Sequence, residues 1–475
     1  MTINKLETDY LVVGSGAVGM AFADTLLTET DAQILLVDRN HKPGGHWNQA
    51  YSFVTLHQPS SFYGVSSKEL CKGRQDEVGL NKGLMDLATG AEVSAYFDEV
   101  MLHTFLPSGR VSYYPMCDYL GDGEFVSRLT GERYCATAKM KTVDATFLNT
   151  SVPLTHTPTF SVAPGAQFMP LNHLPQLITP PTGFVVIGGG KTGIDACLWL
   201  LENNVPPDAI QWIVSRDAWL LNRRNVQPTE EFFFDSIGAQ AAQVEAIAAA
   251  NSIEDMFDRL EAAGYFFRLD ETVRPTMFHG ATVSELELAA LRRIKNVVRL
   301  GRVKALEDDR IVFDRGTLPT SRDHVHVDCS ASAISNLSMK PVFKDKLITP
   351  QTVRPYQPVF SAAFIAHVEA TYDDEATKNR LCGVVPLPND DTDYLRFTAA
   401  SMINQQVWSK DPDLRAWLHG NRLDGFSRIV AGVKKDEADK MAVLGRLRAG
   451  SKPAMLKLQQ FIADLDQPAR QGDAA

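Results

Sequence analysis

Apolar and polar positions along the chain fall into two blocks of the same order. Residues 9–13 are a short apolar run, residues 17–27 carry apolar positions at helical spacing, and residues 34–37 are apolar again. Residues 184–187, 194–201 and 210–214 repeat that order. Each block predicts a strand, a helix and a strand, the unit from which parallel sheets are built. Between the blocks, residues 91–105 predict an amphipathic helix, and residues 110–114 and 133–145 a small antiparallel stretch. After the second block come an Ala-rich helical segment at 229–264, a helix and strand at 285–300, and strands at 310–313 and 324–328. The clearest helices of the C-terminal region are expected at 395–408 and 454–465.

Each first strand ends in glycines. Gly14, Gly16 and Gly19 stand in VVGSGAVG, and Gly188, Gly190 and Gly193 in VVIGGGKTGIDA. In such a loop the first glycine permits the tight turn, the second lets a pyrophosphate approach the backbone, and the third lets the helix pack on the strand. The helix N-terminus then offers N–H groups and a favourable dipole to the phosphates. The Gly-Lys-Thr tripeptide invites a phosphate-loop NTPase reading, but that motif requires glycine where Val185 stands.

The ends of the second strands differ. The first block delivers Asp38, at the position where an acidic side chain accepts the ribose hydroxyls of an unphosphorylated adenosine. The second ends at Ser215-Arg216 with no carboxylate, and Arg223 and Arg224 follow. An arginine there accommodates a ribose 2′-phosphate, the alternative being a solvated surface arginine. The first loop therefore suits the ADP half of FAD and the second suits NADPH, with Lys191 and Thr192 beside its phosphates. One nucleotide would deliver hydride to the other.

Composition narrows the partners. With 47 Lys plus Arg against 57 Asp plus Glu the formal charge is −10 and no basic block appears, which argues against nucleic acid or an anionic membrane. No run reaches the roughly 18 apolar residues of a membrane span, and the N-terminus does not read as a signal peptide, so a cytoplasmic protein is expected. The six cysteines are scattered without C-x-x-C or metal-spaced histidines, so neither a disulfide framework nor a metal site is expected.

The glycine loop with Asp38, the stretch Pro43-Gly44-Gly45-His46-Trp47, the second loop ending in Gly193-Ile194-Asp195, and Arg216 together resemble the flavin-containing monooxygenases and their Baeyer-Villiger relatives. The resemblance spans most of residues 6–335, although its specific matches are local. It implies that Gly44, Gly45, His46 and Trp47 lie along the flavin; on physical grounds two glycines admit backbone to a planar ring and a tryptophan covers it. A glycine turn with a core tryptophan is the alternative. It also implies that the segment from Leu56 to Gly64 passes the reactive edge of the flavin, with Gln58 as candidate catalytic residue, unless His57 and Gln58 only satisfy a turn. Two features depart from the family. Its F-x-G-x-x-x-H signature is missing from FSVAPGAQFMPLNHLPQL, which has Asn172-His173 instead, and its A-T-G is replaced by Asp328-Cys329-Ser330-Ala331.

The expected fold is α/β: two dinucleotide-binding, Rossmann-like domains, the NADPH domain inserted into the FAD domain, with helical insertions and a mostly helical C-terminal region. Residues 1–168 form the first part of the FAD domain, 182–300 the NADPH domain with its insertion 229–264, and 301–385 the second part of the FAD domain. Residues 386–466 are helical and 467–475 a disordered tail. Pro164 to Pro181 is a Pro-rich crossing. His367 and Glu369 are expected to be a satisfied buried histidine and an exposed glutamate rather than an acid-base pair. By resemblance the chain is an NADPH-consuming, FAD-dependent monooxygenase-like enzyme oxidising a small organic substrate with molecular oxygen through a peroxyflavin. The alternatives are a reductase or oxidase of the same fold without oxygen insertion, a disulfide reductase, which the absence of a cysteine pair disfavours, and a nucleotide-binding protein without turnover. Oligomeric state is left open.

Overall fold

The computed structural model describes residues 3–70, 73–332 and 338–467. Cys71 and nearly all of the tail expected to be disordered lie outside them. In the first unit the strand Ile3–Val13 is central. It pairs in parallel with Ile34–Val37 on one side and Arg133–Asp144 on the other, with Val13 facing both Val37 and Asp144. Val111–Tyr114 extends the sheet, again in parallel. The expectation of an antiparallel stretch at 110–114 and 133–145 is corrected here. Both segments run parallel to the first strand: the helix Gly90–Val100 supplies the crossover for the first, and the two antiparallel strands that follow it turn the chain back for the second. The antiparallel part is the hairpin Cys117–Gly121 and Glu124–Ser127, which continues onto Arg133–Asp144.

The second unit repeats this plan. Gly183–Ile187 is flanked by Ile210–Ile213 and His324–Asp328, with Gln167–Pro170 and Val297–Val298 outside them, all parallel. His324–Asp328 was expected in the second part of the FAD domain, 301–385. It lies inside the second sheet, so that unit runs on past 300. Buried parallel strands read alike in sequence, and Val325, His326 and Val327 are all fully buried, as a strand covered on both faces must be. The chain returns to the first sheet with the hairpin Phe343–Lys344 and Leu347–Ile348, whose second strand pairs in parallel with Arg133–Asp144. The helix Pro358–Thr371 then packs on Ala17–Glu29, whose small residues Ala17, Ala21 and Ala23 allow close approach.

The 229–264 insertion forms two helices, Phe233–Ala249 and Ile253–Ala262. The C-terminal helices Asp393–Trp408 and Ala438–Asp466 cover them. Phe257, Phe266, Tyr394, Phe397, Leu458 and Phe461 share one core there. Gly90–Val100 starts at a capping box in which Thr89 Oγ1 accepts from the Glu92 N–H and Glu92 accepts from the Thr89 N–H. No described helix is long and apolar enough to cross a membrane.

On Pro358–Thr371 the expected roles of His367 and Glu369 are reversed. Glu369 is 7 % exposed and accepts from Lys378 at 2.6 Å, Lys141 at 3.2 Å and the Tyr10 hydroxyl at 3.1 Å. The less buried His367 meets Glu29 at 2.7 Å and stacks on Trp417. A buried carboxylate is tolerable because two ammonium groups neutralise it.

Candidate functional site

The first glycine loop is built by contacts that only hydrogen atoms permit. Gly14 has φ +97°, and a Cβ on Gly19 would lie 1.9 Å from the Gly14 carbonyl oxygen, so the helix Ala17–Glu29 sits directly on the turn. Gly45, with φ +58°, would place a Cβ 2.9 Å from Gly16 Cα, and the Gly44 N–H donates to the Ser15 carbonyl at 2.9 Å. Two bare backbones thus pack directly against each other where they cross at Gly16 and Gly45, which a side chain on Gly45 would prevent. The helix has no side-chain cap at Gly16, so its first N–H groups are available to an anion.

Asp38 lies at the loop and is 5 % exposed. One carboxylate oxygen accepts from the Ser15 N–H at 2.5 Å and the Ser15 hydroxyl at 2.9 Å, and the other from the Asn40 N–H at 2.7 Å. These donors orient the carboxylate, and each oxygen can accept a further bond. Beyond the crossing, His46 stacks on Trp47, whose Nε1 donates to the Tyr63 hydroxyl at 2.7 Å. Burial pushes His46 down to about 4, which keeps it neutral near pH 7. Asn48 Nδ2 donates to the carbonyls of Lys42 and Gly45, both at 3.1 Å, while its Oδ1 is enclosed with no partner among the described residues.

The second loop repeats the first. Gly188 has φ +136°, and a Cβ on Gly193 would again lie 1.9 Å from the carbonyl oxygen of the first glycine, Gly188. A Cβ on Gly190 would meet nothing within 4 Å, and the helix Lys191–Glu202 begins there without a side-chain cap. Both flanking strands end in the same turn. Asp144 accepts from the Thr146 N–H and hydroxyl, and Asp328 from the Ser330 N–H and hydroxyl. Thr146 backs Gly14 as Cys329 backs Gly188. The departure seen at Asp328-Cys329-Ser330 is therefore a second copy of Asp144-Ala145-Thr146.

Lys191, on the first helical turn beside half-buried Thr192, bonds both oxygens of Asp195 at 2.5 Å. The Tyr51 hydroxyl, from the first unit, donates to the same carboxylate at 2.5 Å. Burial first, then the Asp195 charge, push the Tyr51 phenol well up. Arg216 stands just beyond Ile210–Ile213, with 35 % of its side chain exposed, paired with Asp390 and 3.2 Å from Asn389. Arg224 pairs with Asp235 at 3.3 Å. Arg223 is different: it is 1 % exposed and donates to the His57 carbonyl, Asn81 and the Thr282 carbonyl, all at 3.1 Å, and pairs with Glu287 at 2.8 Å. It joins the units and reads no ligand. Gln58 is half-buried next to His57.

Sequence reasoning did not single out Tyr51, nor the burial of Arg223. The only signal for either is position, a tyrosine four residues past Trp47 and an arginine between two apolar stretches. Cys117 and Cys135 are not brought together, because the strand Glu124–Ser127 lies between theirs. Among the described residues no three His, Cys, Asp or Glu side chains gather as around a metal ion.

The residues present fit two dinucleotides. The glycine crossing and uncapped helix start, with Asp38 beyond them, suit FAD; Gly188, Gly190 and Gly193 with Arg216 suit NADPH. Residues 12–55 match the family model described as an NAD(P)-binding Rossmann-like domain. Among solved structures, a flavin-containing monooxygenase from Stenotrophomonas maltophilia is 14 % identical, over 77 % of this chain and 97 % of that one, with a TM-score of 0.43. A cyclohexanone monooxygenase variant from Rhodococcus sp. Phi1 is 13 % identical, over 77 % and 86 %, with a TM-score of 0.45. Likeness at these levels assigns no chemistry. Uncharacterized proteins of Mycobacterium tuberculosis and Mycobacterium bovis are 49 % identical over 425 residues, 90 % of this chain and 79 % of theirs. At that identity over nearly its whole length, the chain belongs to the same family as these mycobacterial proteins.

Proposed function

We propose that this chain is an FAD-dependent, NADPH-consuming oxidoreductase of the monooxygenase type, acting on a small organic substrate and molecular oxygen. The observation that carries this reading is the pairing of two near-identical glycine loops with opposite charges at the ribose end, Asp38 in one unit and Arg216 in the other. A carboxylate accepts two hydroxyls and repels a phosphate, and a guanidinium does the reverse. Bound FAD supplies the redox chemistry, taking two electrons from NADPH and passing them to oxygen.

The chain's own residues bind and orient. The uncapped N–H groups at the start of Ala17–Glu29 receive the pyrophosphate, Asp38 holds the ribose, and the His46-Trp47 pair walls the flat ring. Arg216 exchanges Asp390 for the 2′-phosphate, and Lys191 can leave Asp195 for the phosphates at the helix start. Neutral His46 and the apolar face of Trp47 keep bulk water from that side. Over the cycle, NADPH, a proton, oxygen and substrate give NADP+, water and the oxygenated product.

The missing F-x-G-x-x-x-H signature favours a second reading, a reductase or oxidase that converts NADPH, a proton and oxygen to NADP+ and hydrogen peroxide. Purified protein should release FAD on denaturation and oxidise NADPH in preference to NADH. With a panel of small ketones, sulfides and amines, NADPH consumed in step with an oxygenated product supports the first reading. Stoichiometric peroxide with every compound supports the second, and protein devoid of flavin overturns both.

A further inference from the structure

Residues 55–59 run between the two units and are held from both sides. The Leu56 N–H donates to the Ala88 carbonyl at 2.9 Å within the first unit. From the second unit, Arg223 donates to the His57 carbonyl at 3.1 Å, and three of its other N–H groups go to Asn81, Thr282 and Glu287. The His57 backbone is thereby fixed at the junction. Its ring is not satisfied: Nδ1 is enclosed and has no partner among the described residues. Enclosed side-chain nitrogens and oxygens in folded proteins are nearly always paired, and an unpaired one at a site points to a ligand.

The surroundings select the kind of ligand. Burial, and then the positive charges of Lys191 and Arg223, push His57 down to about 3, so the ring is neutral with one nitrogen free to accept. In the tautomer with its proton on Nε2, Nδ1 accepts and its ligand brings a hydrogen-bond donor, while two nearby cations disfavour a positive one. A neutral N–H or O–H remains. Lys191, whose charge reaches the ring, stands on the first turn of the helix at the second glycine loop, and Arg223 ties the His57 backbone to the unit that carries that loop.

We propose that His57 is a positioning residue for the nicotinamide end of the coenzyme, its unpaired Nδ1 accepting a hydrogen bond from the carboxamide NH2. This rests on the NADPH site proposed above and moves the role expected of Gln58 to its neighbour. The same donor chemistry could come from a substrate hydroxyl, and the test separates the two.

The test is calorimetric binding of NADP+ and of its 3-acetylpyridine analogue, which keeps the carbonyl but lacks the NH2, to the flavin-loaded protein. The unsubstituted protein should bind NADP+ about tenfold tighter than the analogue, the discrimination of one hydrogen bond to a buried acceptor. His57→Phe should bring the ratio close to one, and His57→Asn, whose amide oxygen can replace Nδ1, should restore most of it. General damage to the fold would weaken both ligands alike and leave the ratio unmoved. Both affinities and their ratio unchanged in His57→Phe overturn the assignment and leave the donor to the substrate. Equal weakening of both ligands overturns it in favour of a purely structural ring. If the unsubstituted protein binds NADP+ with no preference over the analogue, this inference alone falls; if it binds neither, the NADPH reading falls with it.

Discussion

The two dinucleotide units are alike where the backbone decides and unlike where charge decides. In both, the third glycine would drive a Cβ to 1.9 Å from the carbonyl oxygen of the first, and an Asp-x-Thr or Asp-x-Ser turn closes the adjoining strand. Beyond the second strand one presents a nearly buried carboxylate locked onto its loop, the other a partly exposed arginine in a surface pair. Steric requirements of a loop fixed on a helix leave little choice, so the copies agree. The ribose end faces the ligand, and there each copy follows a different nucleotide.

Breaking the shared part should cost most. Gly193→Val must push the Gly188 carbonyl aside and should destabilise the protein by about 3 kcal/mol or abolish folding, read by denaturant unfolding. Gly190→Val is the control, since its Cβ meets nothing. It should keep flavin content and stay within about 1 kcal/mol of the parent. Its NADP+ affinity should fall about a hundredfold because the pyrophosphate can no longer reach the backbone.

The arginines sharpen the contrast. Arg223→Ala leaves Glu287, 13 % exposed, without its partner and should cost about 3–5 kcal/mol of stability. Arg216→Ala removes an exposed pair worth about 1 kcal/mol at most, so stability should hardly change. Its effect should appear in KM for NADPH, raised about 10- to 100-fold by the loss of charged hydrogen bonds, with KM for NADH nearly unchanged. Equal changes for both coenzymes would remove Arg216 from the phosphate site.

Per pH unit, the smallest effect comes from two histidines. His46 and His57 are held near 4 and near 3 in the folded protein, below the ordinary 6.5. As pH falls from about 6.5, the unfolded chain takes up protons that the folded one refuses, so stability declines until the folded values are reached. Each histidine should contribute up to about 1.4 kcal/mol per pH unit in that window. His46→Gln should flatten the fall of Tm between pH 6.5 and 4, and an unchanged slope would place the ring in water.

The periodicity and glycine spacing made both loops, their helices and the two-unit plan legible in the sequence. Which sheet receives a strand was not: His324–Asp328 and Val111–Tyr114 needed the tertiary pairing, since a parallel strand carries no mark of its neighbour. The same holds for Arg223 and Arg224, adjacent in sequence. One is buried between units and the other pairs at the surface, a difference set by the side of the chain each faces. Glu369 could not be read as buried without Lys141, more than two hundred residues away in sequence.

The most direct measurement is anaerobic mixing of the flavin-loaded protein with NADPH and, separately, NADH, following the flavin absorbance. Asp38 and Arg216 in their separate units lead us to expect bleaching at least about tenfold faster with NADPH at subsaturating coenzyme, with Gly190→Val abolishing it while keeping its flavin. Protein that holds FAD but is not bleached by NADPH would contradict the assignment of the two units to two different nucleotides, and equal bleaching by both coenzymes would contradict the selection by Arg216.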